Sequence, residues 1–168
     1  TIKRELTSVP EYLFLLERRH PHDLDCARQD DLLDQLEQSG IKLVRFYFTH
    51  DASIVSPRDP LQRPRALREV EAAHHAHRLV VIAERDSLVD PMTAELAPWA
   101  AALAARTKPV LFTSSNRDPL LPVTQKRSAA GFRLVDAAAT GLSTAFGTRQ
   151  NSPAHEQARH GLVLPSLL

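Results

Sequence analysis

The sequence predicts an α/β fold: a doubly wound, mainly parallel five-stranded sheet with helices on both faces. Three observations predict it. Five short apolar runs, YLFLL (12–16), KLVRFYF (42–48), RLVVIA (78–83), PVLFT (109–113) and FRLVDA (132–137), recur along the chain. Runs that are apolar at consecutive positions describe strands covered on both faces. The stretches between them are polar or amphipathic and of helix length, as crossover connections require. Finally, 168 residues suffice for one domain with its own core.

The first run is followed by Asp23 and Asp25, either of which can cap a helix over 26–39. Leu32, Leu33 and Leu36 form its apolar stripe, and Gly40 supplies the left-handed stop. The second run leads into HDASIVSPRDPLQRPR, where Pro57, Pro60 and Pro64 forbid a continuous helix, so 52–64 is read as a long surface loop. A helix over 65–76 then places Leu67, Val70 and Ala73 on one face, with His74 and His75 at its carboxyl end. After the third run, Thr93 is the expected cap of a helix in which Pro98 sits in the first turn and Leu96, Trp99 or Ala100, and Leu103 face the sheet. A short helix over 123–130 ends at Gly131, and residues 148–168 read as a tail or linker beyond a domain spanning 1–147. Of the strand orders that suit such a series, 2-1-3-4-5 is the one expected.

Composition narrows the function classes. A formal net charge of +1 lacks the broad basic field that selects nucleic acid. Cys26 is the only cysteine, which removes disulfides and cysteine-based zinc clusters and fits a reducing, cytoplasmic setting. No apolar run approaches the roughly 20 residues that span a bilayer, so no membrane role is expected. The first residues, TIKRELTSVPEY, begin without methionine and read as a domain cut from a longer polypeptide.

In doubly wound sheets ligands lie beyond the carboxyl ends of the strands, which nominates Glu17, Arg18, Asp51, Glu84, Asp86 and Ser114 as a candidate ligand-binding rim. Carboxylates converging there suit a divalent cation, which needs several oxygen ligands in a small volume. With Arg18, Arg19 and Arg85 interleaved, mutual ion pairing is the favoured reading, and no resident metal or cofactor is expected. His20 and His22, and His74, His75 and His77, lack the spacing of a zinc helix. None of the five glycines builds a phosphate-binding turn, Ser114 and Ser115 lack a nucleophile elbow, and Cys26 reads as a packing residue.

The series EYLFLLERRHPHD, VRFYFTHD, HRLVVIAERDSLVDPMTAELAPWAAAL and KPVLFTS resembles, over residues 11–137, the Rossmann-like region related to von Willebrand factor A domains of large multidomain bacterial proteins. That family places a D-x-S-x-S metal-binding sequence after its first strand. Here the matching residues are Glu17, Arg18, Arg19, His20 and Pro21, so both serines are absent and the metal-dependent adhesion chemistry does not carry over. What the resemblance implies is a Rossmann-like or flavodoxin-like scaffold and a non-catalytic protein-interaction or regulatory role, with another protein or domain of the same polypeptide as partner. The alternative is a Rossmann-like hydrolase or nucleotide-processing enzyme that uses a strand-end glutamate, Glu17 or Glu84.

Overall fold

The structure, a computed structural model, describes residues 10–90, 92–93, 95–106, 110–114 and 133–136. In chain order the elements are β1 (Tyr12–Glu17), α1 (Leu24–Gln38), β2 (Leu43–Thr49), β3 (Asp51–Pro57), β4 (Arg65–Ala66), α2 (Leu67–Ala73), β5 (Arg78–Ala83), α3 (Arg85–Leu88), α4 (Pro98–Arg106), β6 (Val110–Ser114) and β7 (Arg133–Asp136). All strands belong to one mixed sheet in the order β4-β3-β2-β1-β5-β6-β7. The five strands anticipated from the apolar runs pair in parallel, in the spatial order β2-β1-β5-β6-β7.

The alternation of β1 separates two cores. Leu13 and Leu15 point to one face, where they meet Leu67 and Val70 of α2, Leu88 of α3, and Ala100 and Leu103 of α4. Tyr12, Phe14 and Leu16 point to the other, against Cys26, Leu33 and Leu36 of α1. Every residue of β1 is buried, the signature of a central strand covered above and below. Asp23 caps α1 by accepting from the backbone N–H groups of Asp25 and Cys26, and Gly40, at φ 93°, turns the chain into β2.

The segment read as a loop over 52–64 is partly sheet. The chain turns at His50, whose φ of 58° is the left-handed conformation that histidine tolerates better than most residues. It then returns antiparallel to β2 as β3, which pairs in turn with the two-residue β4. Ala52 and Val55 bury themselves in the α2–α4 core, and that burial fixes the strand. The prolines therefore limit β3 and β4 without excluding them: Pro57 ends one and Pro64 precedes the other. A five-stranded, mainly parallel sheet is accordingly corrected to a mixed one with an antiparallel extension.

The helix read over 65–76 is shorter, since 65–66 pair as β4 and His74 is the cap. The helix expected from Thr93 begins at Pro98, the position at which a missing N–H costs nothing. Trp99 packs partly buried against that core, its ring 5.2 Å from Phe48, and its indole N–H donates to the Ser87 carbonyl at 3.2 Å. The helix expected over 123–130, Ser115 and the tail over 148–168 lie outside the described residues. No helix among the described residues is long and apolar enough to cross a membrane.

Candidate functional site at the strand ends

Strand order reverses around β1, whose neighbours are β2 on one side and β5 on the other. The crevice beyond their carboxyl ends is where a sheet of this kind presents ligands. Its floor is Glu17, the last residue of β1, with a side chain only 2% exposed.

A buried carboxylate is tolerated only when its oxygens are occupied, and here they are. One oxygen accepts the backbone N–H of Glu84 at 2.9 Å. The other accepts the Ser87 hydroxyl at 2.8 Å and the Arg19 Nε–H at 3.1 Å. Arg19 goes on to pair with Glu84 at 3.2 Å and with Asp86 at 3.0 Å, and donates to Ser87 Oγ at 2.8 Å. One guanidinium thus stands among three carboxylates. His50 lies at the margin, its Nδ1 3.8 Å from Glu17.

Burial pushes the Glu84 carboxyl above its ordinary 4.5; Arg19 opposes this, while the nearby Asp86, Glu17 and Asp23 carboxylates reinforce it. Asp23 behaves otherwise. Burial would raise it, but the backbone N–H groups of Cys26 and Arg19 and the neighbouring His20 hold it below its ordinary 3.8. The carboxylate that caps α1 therefore fills the amide positions an anion would need.

The cleft itself, lined by Leu16, Glu17, Arg19, Asp23, Cys26 and Glu84, has room for about one water molecule. Among the described residues no group of histidine, cysteine, aspartate and glutamate side chains has the arrangement of a metal site.

Of the residues the sequence nominated, Glu17, Glu84 and Asp86 come together around Arg19. Arg18 turns the other way, its guanidinium 3.9 Å over the Tyr47 ring and 3.4 Å from Asp30 on α1. Asp51 is exposed and accepts the Ser53 N–H at 2.6 Å, binding its own turn instead of the cleft. Ser114 ends β6 in register with Ala83 and Asp136. Arg19 and Ser87 complete the cluster and are absent from the nominated rim. Arg19 lies two residues beyond Glu17, in the bend that follows β1. Ser87 falls three after Glu84, one turn into α3.

A second ionic cluster lies under α1. Arg45, in the middle of β2 and with a side chain 4% exposed, reaches Asp30 at 3.2 Å, Asp34 at 2.9 Å, and Glu37. The Tyr47 hydroxyl donates to Asp30 at 2.5 Å, and burial together with that carboxylate pushes the phenol well above its usual range. Asp34 is also gripped by both terminal nitrogens of Arg58, at 2.8 and 3.2 Å. The cluster ties α1 to β2 and to the turn after β3.

No family model, curated protein or solved structure matches this chain.

Proposed function

We propose that this domain is a non-catalytic protein-interaction or regulatory module, a part of a larger bacterial multidomain protein that acts by contacting another protein or domain. The observation that carries this reading is the position of Arg19. Its guanidinium pairs with Glu17, Glu84 and Asp86 at once, so each carboxylate at the switch point already has one oxygen engaged by a cation of the chain itself. A cleft of about one water molecule agrees with it, as does an α1 N-terminus already capped by Asp23. The parallel order β2-β1-β5-β6-β7 supports a Rossmann-like, flavodoxin-like core, and the resemblance to von Willebrand factor A-like regions supports a binding scaffold. The lone, buried Cys26 suits a cytoplasmic setting.

One observation favours the second reading, a hydrolase or nucleotide-processing enzyme. Glu84 is partly buried with its carboxyl held above the ordinary value, as a general acid or base requires. A thermal-shift screen of divalent cations and nucleotides separates the two. A ligand that binds only the folded chain must raise its melting temperature. Unchanged melting with every ligand is the result expected for an interaction module. A rise that Glu84→Ala or Asp86→Ala abolishes, together with turnover of the bound nucleotide, would favour the enzymatic reading.

A further inference from the structure

The β3–β4 hairpin combines two features absent from the strand-end cluster: unanswered positive charge and apolar side chains held in water. Leu61 at its turn is 92% exposed, and Ile54 on β3 is 57% exposed. Neither exposure comes from a loose segment. Asp59 binds the turn by accepting from the Leu61 N–H at 2.9 Å, the Gln62 N–H reaches the Asp59 carbonyl at 3.1 Å, and the Gln62 side chain reaches the Asp59 carboxylate at 3.3 Å. The bidentate Arg58–Asp34 pair anchors the turn to α1, and the buried Val55 and Ala52 root β3 in the core. Such a turn presents Leu61 at little further ordering cost on binding.

Charge supplies the other half. Arg63, Arg65 and Arg68 are exposed and lie within six residues of one another. Among the described residues none of the three has a carboxylate within ion-pair distance, as is also true of Arg78 and Arg85, whereas Arg18, Arg19, Arg28, Arg45, Arg58 and Arg106 each do. An apolar anchor beside uncompensated arginines is complementary to an acidic segment that carries an apolar residue. A nucleic acid fits less well, because the hairpin has no aromatic ring on which a base would stack.

We infer that the turn of the β3–β4 hairpin and the start of α2 form the docking surface of this domain, and that its partner is an acidic protein segment with aliphatic side chains which seats against Leu61 and pairs with Arg63, Arg65 and Arg68. This rests on the interaction reading above and gives that reading a place and a chemistry.

The test is an amide NMR titration of the whole chain with a synthetic peptide of alternating glutamate with leucine and valine. Two controls replace its glutamates by lysine or its aliphatic residues by serine. Shifts confined to Leu61–Arg68 are expected, weakened by added salt. Reversing two rim charges, Arg63→Glu with Arg65→Glu, should weaken binding about tenfold at low salt. Leu61→Ser should weaken it several-fold, both variants leaving the remaining amide spectrum unchanged.

Equal binding of the lysine peptide, no binding at all, or tighter binding of a single-stranded RNA would overturn the assignment. So would concentration-dependent shifts of these amides without peptide, which would give the surface to a second copy of the chain. A failure here with unchanged melting in the cation and nucleotide screen removes the hairpin alone. A rise in that screen, with turnover of the bound nucleotide, removes the interaction reading itself.

Discussion

Arg19 and Glu17 stand two residues apart and form a pair at 3.1 Å in which the carboxylate is almost wholly buried and the guanidinium is not. The asymmetry decides what each substitution does. Removing Arg19 leaves Glu17 held by the Glu84 amide and the Ser87 hydroxyl, but without its nearest full counter-charge. Arg19→Ala is expected to cost about 2 kcal/mol, within the range for a hydrogen-bonded charge left partly uncompensated. Adding Glu17→Gln to it should recover part of the loss, because a neutral amide needs no counter-ion. Urea midpoints at constant m-value measure both. An Arg19→Ala variant as stable as the parent would show that the cation contributes nothing.

Arg45 allows a sharper prediction. Its charge answers Asp30, Asp34 and Glu37 from inside the sheet, so Arg45→Leu leaves Asp30 with Tyr47 and Arg18, Asp34 with Arg58, and Glu37 without this partner. The expected loss is about 2 kcal/mol, because the carboxylates left behind are partly exposed and two of them keep other partners. Arg45→Lys keeps the charge and loses the fork that serves three acceptors, so it should fall between. Equal stability of the lysine and parent proteins in urea would contradict the geometry.

Stability should depend on pH in two steps. Burial lowers the affinity of His74 for its proton below the ordinary 6.5, and His77 and Arg65 add to this while Glu11 opposes it. The unfolded chain then binds that proton more readily, so stability falls as pH drops below about 6.5. Asp23 and Asp34 are held below their ordinary 3.8, so the stability they contribute is lost as pH falls through about 4 and below. Glu84, held high, acts in the opposite sense and regains stability as it protonates. Chemical denaturation from pH 7 to 3 checks the profile. His74→Gln should flatten it between pH 7 and 5 and leave the lower step in place.

Gly40 gives a purely backbone prediction. An added Cβ would meet nothing within 4 Å, so the cost of Gly40→Ala is that of a left-handed φ of 93° alone. A loss of about 1 kcal/mol is expected, read from the urea midpoint. A larger loss would mean that the turn between α1 and β2 is crowded.

The parts legible in the sequence are those that a local signal specifies. β1, β2 and β5 are runs of aliphatic and aromatic residues, and Asp23 and Gly40 mark the ends of α1 by their own backbone chemistry. β3 was hidden because its stability is tertiary: Ser53, Ile54 and Ser56 are exposed, and only Ala52 and Val55 reach the core. The prolines around it carry the stronger local signal and mean only that the strand is short. Arg45 was hidden for the same reason, since an arginine inside an apolar run reads as an interruption until α1 places Asp30, Asp34 and Glu37 over it.

In the candidate site, the sequence order of strand and charge located Glu17, Glu84 and Asp86 at one edge. It did not distinguish Arg18 from Arg19. Both lie past the end of β1, where strand alternation no longer assigns a face, and the chain there sends Arg18 to Tyr47 and Asp30 and Arg19 to the carboxylates.

The account turns on the strand-end rim being satisfied from within, and an amide NMR titration of the chain with magnesium and with a nucleotide tests it most directly. Resonances of Arg19, Glu84, Asp86 and Ser87 are predicted to stay in place at millimolar ligand while Arg19→Ala gains a magnesium response. Saturable shifts of those four amides in the unsubstituted chain would contradict it.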